Sequence, residues 1–289
     1  MFCSVLHSSH STSTCQASNG RPSRRAECCV RIGFENGEVL DAEYLLGADD
    51  CSSKIRQLLL GFDTAQPCPS GYLFATGITE YADATRTDAI TKAYHVASIM
   101  MGTESVGGVG RAYLVMSTND PRDKSAWTTF WKKLWRGEPL DLSGRDALQY
   151  IESNTPPLLD VFQSAVEWTA RDSSVYIDEM KYWIPMPWDN LGGRVTLAGD
   201  AAHPMLIYRG QNFQHSITDV DNYVETLSRL EMTGDGDAAR AKALMNYDAE
   251  MIGRGSKAVQ QFLEEAEKAL DPDRIKDMLM MTKGHIKGA

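Results

Sequence analysis

Residues 187–227 read PWDNLGGRVTLAGDAAHPMLIYRGQNFQHSITDVDNYVETL, and this stretch decides the fold class. The apolar run 195–198 predicts a short strand that ends at Gly199 and Asp200. After a loop rich in small residues, apolar residues recur at intervals of four and three, which predicts an amphipathic helix. These apolar residues are Phe213, Ile217, Val220, Val224 and Leu227.

A strand followed by a loop and a helix places Asp200 at the carboxyl edge of a sheet, where the helix also begins. Ligands of open α/β sheets bind at that edge. A carboxylate there accepts hydrogen bonds from the hydroxyls of a sugar or polyol, and the free N–H groups at a helix start stabilise an anionic oxygen. The stretch therefore predicts a ligand site around Asp200.

A second strand and turn pattern lies upstream, in residues 28–56. Val30, Ile32 and Phe34 alternate with polar residues, and Asn36-Gly37 predicts a tight hairpin turn. The following strand runs into GADDCSSKIR, residues 47–56, whose Ser-x-x-Arg opens a helix. Asp50 stands in this turn where glycine is usual; a positive φ would cost aspartate about 1 kcal/mol.

The middle of the chain, residues 65–185, combines strand-like alternation with an aromatic stripe. YLFATGI, residues 72–78, and RAYLVMST, residues 111–118, alternate as strands do, and the glycines at 107–110 precede a strand and so predict a hairpin turn rather than a phosphate cradle. SAWTTFWKKLWR, residues 125–136, spaces its large apolar residues as a helix would. That aromatic stripe indicates core packing, with a helix covering an apolar pocket as the alternative. Its members are Trp127, Phe130, Trp131, Leu134 and Trp135.

Composition excludes several classes of function. The chain has 289 residues, enough for one large or two modest domains, and a net charge of −10 that argues against nucleic acid or a polybasic membrane anchor. No apolar run approaches the roughly 18 to 20 residues that span a bilayer, and no secretory signal is evident, so we expect a cytoplasmic protein. Residues 1–25 are polar and unpatterned, which predicts disorder.

The six cysteines all lie in the first quarter of the chain and form no C-x-x-C pair. Free thiols in a reducing compartment are the expectation, metal binding is the alternative, and we predict no metal site. They are Cys3, Cys15, Cys28, Cys29, Cys51 and Cys68.

The stretch 187–227 resembles the second flavin-binding motif of FAD-dependent monooxygenases of the para-hydroxybenzoate hydroxylase type, especially fungal members of secondary metabolism. That motif reads R-V-x-L-x-G-D-A-A-H-P, then R-G-Q-G, then a helix with an aspartate. Residues 47–56 resemble the other family motif, G-A-D-G-x-x-S-x-V-R, beside the flavin and the nicotinamide path. The matching residues here are Arg194, Val195, Leu197, Gly199 to Pro204, Arg209 to Gln211, Asp219, Gly47 to Asp49, Ser53 and Arg56.

The resemblance, which covers about residues 28–265, implies an α/β (α+β) fold. It implies an incomplete FAD-binding Rossmann-like domain, residues 26–64 and 186–270, with an inserted substrate domain of sheet and helices, residues 65–185. C-terminal helices and a tail, residues 271–289, would follow.

The resemblance also implies the site residues and the chemistry. Asp200 would bind the ribityl chain, the backbone from Gln211 to Phe213 would face the flavin ring, and Arg56 would support the turn in which Asp49 helps position the cofactor. NAD(P)H and O₂ would be consumed to hydroxylate an electron-rich ring or epoxidise an alkene in an aromatic, polyketide or terpenoid substrate. No catalytic residue is identified, and His203 is expected to be a loop residue rather than a base. The implied cofactor-binding set is Asp49, Arg56, Gly199, Asp200, Gly210, Gln211, Asn212 and Phe213.

The chain departs from the family pattern in three places. It has no G-x-G-x-x-G fingerprint, Asp50 replaces a turn glycine, and Asn212 replaces the last glycine of G-Q-G, where a left-handed conformation would be tolerated but the side chain could crowd the ring.

The missing fingerprint leaves several interpretations open. The sequence could be a truncated gene model of a monooxygenase, a flavin-free cyclase or isomerase, or an inactive remnant or partner of a full-length homologue. Loss of the first strand of a parallel sheet would expose an edge through which the chain could self-associate.

Overall fold

The computed structural model describes residues 3–7, 30–34, 36–80, 84–93, 97–106, 109–118, 128–155, 160–207, 211–234, 236–271, 273–279 and 282. The chain divides into two compact units. The first comprises Met1–Cys68 and Lys181–Leu263, and the second comprises Pro69–Met180 and Glu264–Ala289. Each unit contains both helices and strands, so the predicted mixed fold class is confirmed.

The first unit contains two small sheets. One is antiparallel, in the order β1-β2-β3, and the other is a parallel pair of β4 and β10. The strands are β1 (Cys3–His7), β2 (Val30–Phe34), β3 (Val39–Ala42), β4 (Leu45–Gly47) and β10 (Val195–Leu197). The hairpin predicted at Asn36-Gly37 is confirmed, since Gly37 has a φ of 84° and joins β2 to β3.

The prediction of disorder over residues 1–25 is wrong for Cys3–His7, which pair antiparallel with β2. The edge of β2 away from β3 presents unpaired backbone N–H and C=O groups, and a short segment with Val5 and Leu6 can satisfy them. The rest of that stretch lies outside the described residues.

Four α-helices in the described ranges belong wholly or mainly to the first unit. They are α1 (Lys54–Leu60), α2 (Phe62–Ala65), α6 (Asn212–Thr233) and α7 (Asp237–Ala269), the last of which continues into the second unit. The core of the first unit joins β2, α1, β10 and α7 through Ile32, Ile55, Leu197 and Met251. The position of β10 in this core explains why all three of its residues are buried.

The helix α6 lies where the sequence predicts it, but its buried face differs from the prediction. Phe213, Ile217, Val220 and Val224 are exposed, while Asp219 and Tyr223 are buried. The apolar period alone therefore identified the helix but not the side that packs on the unit. The packed side of α6 instead combines the apolar contacts of Tyr223 and Leu227 with a buried ion pair at Asp219, described below.

The second unit is built on a five-stranded sheet in the order β6-β7-β8-β5-β9. The strands are β5 (Cys68–Glu80), β6 (Ala97–Val106), β7 (Val109–Thr118), β8 (Thr128–Arg136) and β9 (Ser174–Tyr182). The helices are α3 (Ala84–Ala93), α4 (Gly144–Ser153) and α5 (Asp160–Glu167). The predicted strands 72–78 and 111–118 are confirmed, and β6 and β7 pair antiparallel on either side of residues 107–108, which are themselves outside the described ranges.

The helix predicted over residues 125–136 is wrong, because Thr128–Arg136 form β8 at the centre of this sheet. Trp131 and Trp135 point to one face, where they enter the core with Leu148 and Phe162. Trp131 lies over Gly77, its direct partner on β5; a Cβ at Gly77 would stand 2.1 Å from the indole. Aromatic and β-branched residues with partners on both sides favour a strand over the helical spacing.

Candidate functional site

The two motif turns lie side by side in the first unit. Strands β4 and β10 run parallel, with Gly47 opposite Leu197, so both strands end at the same edge of the pair. Ala198 N–H donates to the Gly47 carbonyl oxygen at 2.9 Å. A Cβ at Gly47 would lie 2.8 Å or less from Leu197 and Ile55, so only glycine fits where the turn begins. The site predicted at the carboxyl edge therefore combines residues about 150 positions apart.

Asp49 caps the start of α1. Its carboxylate accepts hydrogen bonds from the Ser53 hydroxyl at 2.6 Å, from Lys54 N–H at 2.6 Å and from Ile55 N–H at 3.2 Å. Ser53 Oγ in turn accepts from Arg56 N–H at 2.9 Å. A carboxylate at this end of a helix satisfies free N–H groups and interacts favourably with the helix dipole. The geometry assigns Asp49 to the shape of the turn, and its contact with a cofactor stays a prediction.

Asp50 adopts the left-handed conformation expected of the turn. Its φ is 68°, and its own carboxylate accepts from Cys51 N–H at 2.7 Å. Aspartate tolerates this conformation because its short side chain can bond the neighbouring backbone. The side chain is exposed, next to the carboxyl edge of the parallel pair.

Arg56 is a buried cation that connects the backbone segments around the site. The side chain is fully buried; its guanidinium donates to the carbonyl oxygens of Ala65 at 2.9 Å, Ala201 at 2.7 Å and Cys51, and it stacks on Trp183 at 4.9 Å. Three chain segments are thus held by one cation. The predicted support of the turn agrees with this geometry, whereas direct binding of a cofactor by Arg56 would require donors that now serve the backbone.

Asp200 has the properties of a ligand-binding carboxylate. It lies in a short 3₁₀ turn, Gly199–Ala201, directly after β10, and it is half-buried. No donor among the described residues hydrogen-bonds to its carboxylate. Burial raises the pKa of Asp200, the charge of Asp50 adds to the rise, and His203 opposes it. A half-buried carboxylate without a donor is costly unless a ligand supplies hydroxyl groups.

A buried ion network fixes the turn that carries Asp200. Asp219, on α6, accepts from Gly199 N–H at 2.7 Å, from His203 Nε2 at 2.7 Å and from the Arg254 guanidinium at 2.6 Å. His203 N–H donates back to the Gly199 carbonyl oxygen at 2.9 Å. Gly199 has a φ of 60°, and Gly255 on α7 leaves the room that the His203 ring occupies. His203 is therefore a structural loop residue, as the sequence analysis expected.

The pKa of Asp219 results from two opposing effects. Burial by itself raises it, but hydrogen bonds and charge from His203 and Arg254, with the Gly199 N–H, outweigh burial and hold the pKa below its ordinary value. Asp219 is therefore an ionised group inside the unit. The sequence marks Asp219 as part of a motif but gives no sign of this role or of Arg254, because the apolar stripe of α6 does not show which side of the helix packs.

The start of α6 lies close in sequence to the turn and differs from expectation at Asn212. Asn212 is the first helical residue, not a left-handed one, and its Nδ2 donates to the Met205 carbonyl oxygen at 3.1 Å. Its buried Oδ1 has no partner among the described residues. Phe213 follows with 73% of its surface exposed, and Gln211 forms the N-cap position. Gly210 lies outside the described residues.

The chemistry available here is binding rather than acid–base catalysis. The carboxyl edge offers the Asp200 carboxylate, which has no donor among the described residues, and the N-terminal end of the 22-residue helix α6. Among the side chains that the structure describes, no group of three His, Cys, Asp or Glu could hold a metal ion.

Comparison with known proteins identifies the family. A family model for an FAD binding domain matches residues 29–262. The chain belongs to this FAD-binding family. The predicted resemblance and its cofactor, FAD, are confirmed by this match and by the names of the relatives.

Two curated relatives that are similar to this chain come from fungi. FAD-dependent monooxygenase phnB of Penicillium herquei is 27% identical over 257 residues, covering 88% of this chain and 61% of the relative. FAD-dependent monooxygenase dbaB of Emericella nidulans is 29% identical over 224 residues, covering 71% and 55%. The chain thus spans between 55% and 61% of the length of these relatives.

Solved structures share the fold of this FAD-binding chain. The 2,6-dihydroxypyridine-3-hydroxylase of Arthrobacter nicotinovorans has a TM-score of 0.63 at 15% identity, covering 84% of this chain and 62% of that one. HpxO of Klebsiella pneumoniae, solved with FAD and uric acid, has a TM-score of 0.62 at 18% identity, covering 89% and 58%. At these identities the likeness establishes the fold.

The residues at the carboxyl edge fit an FAD group. The free, half-buried Asp200 carboxylate suits the hydroxyls of a ribityl chain, and the buried Asn212 Oδ1 without a partner at the start of α6 suits a ligand N–H. The N-terminus of α6 favours negative charge. These are features of the residues themselves, independent of the family match.

Proposed function

We propose that the chain acts as an FAD-dependent monooxygenase that uses NAD(P)H and O₂ to hydroxylate or epoxidise a small aromatic, polyketide or terpenoid molecule. The single observation that carries the proposal is the Asp200 carboxylate, which is half-buried, has no donor among the described residues and lies on a turn at the shared carboxyl edge of β4 and β10. A polyol cofactor is the ligand that such a carboxylate requires.

The roles of the residues follow from their positions. Asp200 accepts hydrogen bonds from ribityl hydroxyls, and Gln211, Asn212 and Phe213 present the start of α6 to the flavin. Asp49 and Arg56 hold the turns in shape. FAD, when bound, supplies the redox chemistry that the side chains lack. The protein contributes binding, orientation and the exclusion of water.

The names of the relatives support this activity. They include FAD-dependent monooxygenases, a zeaxanthin epoxidase of spinach and a 3-hydroxybenzoate 6-hydroxylase of Klebsiella oxytoca. Both hydroxylation and epoxidation therefore occur among proteins similar to this chain. No observation on the structure favours a flavin-free cyclase or an inactive remnant over the oxygenase.

The proposed partners are small molecules and, through the free edge of the β4–β10 pair, a second copy of the chain. None of the helices in the described ranges is both long and apolar enough to cross a bilayer. A cytoplasmic location is supported by Cys51 and Cys68, which are unpaired thiols. The net charge of −10 disfavours nucleic acid.

An FAD titration of the full chain tests the proposed site, and the quenching of flavin fluorescence reports the binding. The change Asp200→Asn removes the charge but keeps the shape, and we expect FAD to bind at least about tenfold more weakly, as the loss of charge-assisted hydrogen bonds implies. The control is Asp221→Asn, an exposed aspartate on α6 that should leave affinity unchanged.

Equal FAD affinity of wild type and Asp200→Asn would contradict the proposed site. The activity itself is measured as O₂-dependent oxidation of NADPH with candidate phenols and as a mass gain of one oxygen atom in the product. Tight FAD binding without oxygen transfer to any phenol, enolic polyketide or alkene would refute the monooxygenase.

A further inference from the structure

Strands β5 and β8 of the second unit have one packed face and one partly exposed face. Along β5 and β8 the direct partners are Phe74 with Leu134, Thr76 with Lys132, and Ile78 with Phe130. These side chains share the face opposite to Trp131 and Trp135, which enter the core with α4 and α5. A lysine and a threonine thus lie across from each other between two apolar pairs, while Arg136 lies at one end of the same face and Glu80 at the other.

Lys132 is a half-buried cation without an anionic partner in the described part of the chain. Its Nζ lies 4.2 Å from the centre of the Phe74 ring and 5.5 Å from that of Phe130. The ammonium forms no hydrogen bond or ion pair with any residue that the structure describes. Burial lowers the pKa of Lys132, and no charged group contributes to the change. The ring contacts replace only part of the lost hydration.

Thr76 is a second polar group without a partner on the same face. The residue is fully buried, and its Oγ1 has no hydrogen-bond partner among the described residues. Residues directly opposite on antiparallel strands have Cβ atoms about 4.5 to 5.5 Å apart, so this hydroxyl lies beside the Lys132 stem. Two unsatisfied donors on neighbouring strands indicate an acceptor that is to be supplied by a ligand.

Aromatic and aliphatic side chains surround these donors. Phe74 and Tyr176, on β9, meet edge to face at 6.2 Å, and Ile78 and Tyr176 are 40% and 38% exposed. Flat rings in this arrangement suit a planar ligand, because aromatic pairs prefer offset or edge-to-face contacts. The aromatic and aliphatic side chains and the two donors therefore favour the same kind of ligand, a planar molecule that carries a hydrogen-bond acceptor.

We propose that Lys132 and Thr76 form a recognition site for the anionic oxygen of a planar aromatic ligand, a phenolate or a carboxylate. Phe74, Phe130 and Tyr176 bind the ring. The proposal rests on the proposed function, since it gives the substrate of that oxygenase its chemical class, an acidic arene. Lys132 is then a specificity-determining residue, because the three aromatic rings provide affinity but do not select for the charge of the ligand.

Binding of 2-naphthoate and of its neutral methyl ester to the full chain, measured by calorimetry, tests the proposal. We expect wild type to prefer the acid over the ester. The variant Lys132→Met keeps the length of the side chain and should lose at least about tenfold in affinity for 2-naphthoate while ester binding is unchanged. Thr76→Val, of the same shape, should lose about threefold to tenfold for the acid.

The matched control is Lys92→Met, an exposed lysine on α3 of the same unit, which should bind both compounds as wild type does. Far-UV circular dichroism confirms that each variant is folded. Failure of wild type to bind 2-naphthoate, equal binding of acid and ester, or full affinity in folded Lys132→Met would overturn the proposal. Charge-selective binding without FAD binding or oxygen transfer would contradict the proposed oxygenase activity and would still support the ligand site at Lys132.

Discussion

At the scale of single residues, Asp219 determines how firmly the turn with Asp200 is held. Its ionised carboxylate joins α6, α7 and the Gly199 turn, with no exposure to solvent. Asp219→Asn leaves Arg254 and His203 with a neutral acceptor, while Arg254 keeps its ion pair with Glu250. We expect a loss of about 2 kcal/mol in the free energy of unfolding, because hydrogen bonds to a charged group are replaced by weaker ones. Urea denaturation at pH 7 measures it.

The same change has a pH dependence of known sign. The pKa of Asp219 is lowered in the folded state, so its stabilising effect is complete above the unfolded pKa, about 3.9, and is lost as the pH falls through the folded value. The difference in unfolding free energy between wild type and Asp219→Asn should therefore be constant from pH 7 to about 5 and shrink below about 4. Asp221→Asn, an exposed neighbour, is the control; a difference that does not shrink in acid would show that Asp219 is not ionised.

Residue-scale features were predictable from sequence where local geometry requires them. The positive φ of Asp50 and the hairpin at Gly37 follow from short-range backbone sterics, so a motif contains the information. The partners of Asp219 could not be predicted in this way. Arg254 is 35 positions away, and its contact exists only because α6 and α7 pack against each other.

At the scale of helices and strands, the exposed stripe of α6 gives a sharp test. If Ile217 and Val224 lie in solvent, as the structure has them, the double change to Glu should alter the free energy of unfolding by no more than about 0.5 kcal/mol at each site. If they were core residues, as the apolar period alone suggests, burying two charges would unfold the chain. Thermal unfolding followed by circular dichroism distinguishes these cases.

The contrasting variant is Val259→Glu on α7, whose side chain is fully buried and should cost several kcal/mol. Severe destabilisation by the Ile217 and Val224 changes would mean that α6 packs through its apolar stripe. Loss of concentration-dependent association in the double variant, with unchanged stability, would show that the stripe mediates self-association.

Strand β8 and helix α6 show where sequence patterns reach their limit. In β8, the residues Phe130, Trp131, Leu134 and Trp135 fit a helical repeat by coincidence, because Trp131 and Trp135 serve one face and Phe130 and Leu134 the other. A sheet with two apolar faces lacks strict alternation, so its strands resemble buried helices in sequence. In α6, the packed side combines Tyr223, Leu227 and Leu230 with the ion pair of Asp219, and the apolar period alone does not identify that side.

At the scale of the whole molecule, the residues of the candidate flavin site come from two distant parts of the chain within one unit. Residues 47–56 and 199–219 both belong to the first unit, and the sheet with Lys132 belongs to the second. The family resemblance implied that both segments lie beside the flavin, and the parallel pairing of β4 and β10 gives the physical reason why they meet. No motif predicted Lys132. Residues that share one face of a sheet come from different strands, so they are brought together by strand pairing and not by spacing along the sequence.

Cofactor binding should therefore stabilise one unit in a way that can be located. A ligand that binds only the native state adds RT ln(1 + [L]/Kd), about 2.7 kcal/mol at a free concentration 100 times Kd. Hydrogen exchange followed by mass spectrometry should show FAD protecting amides within 47–56 and 199–219, because those segments contain Asp200 and the turns that hold it. In Asp200→Asn the same protection should require higher FAD concentration. Protection confined to the strands of the second unit would contradict flavin binding at Asp200. That result would not by itself contradict the ligand site proposed at Lys132.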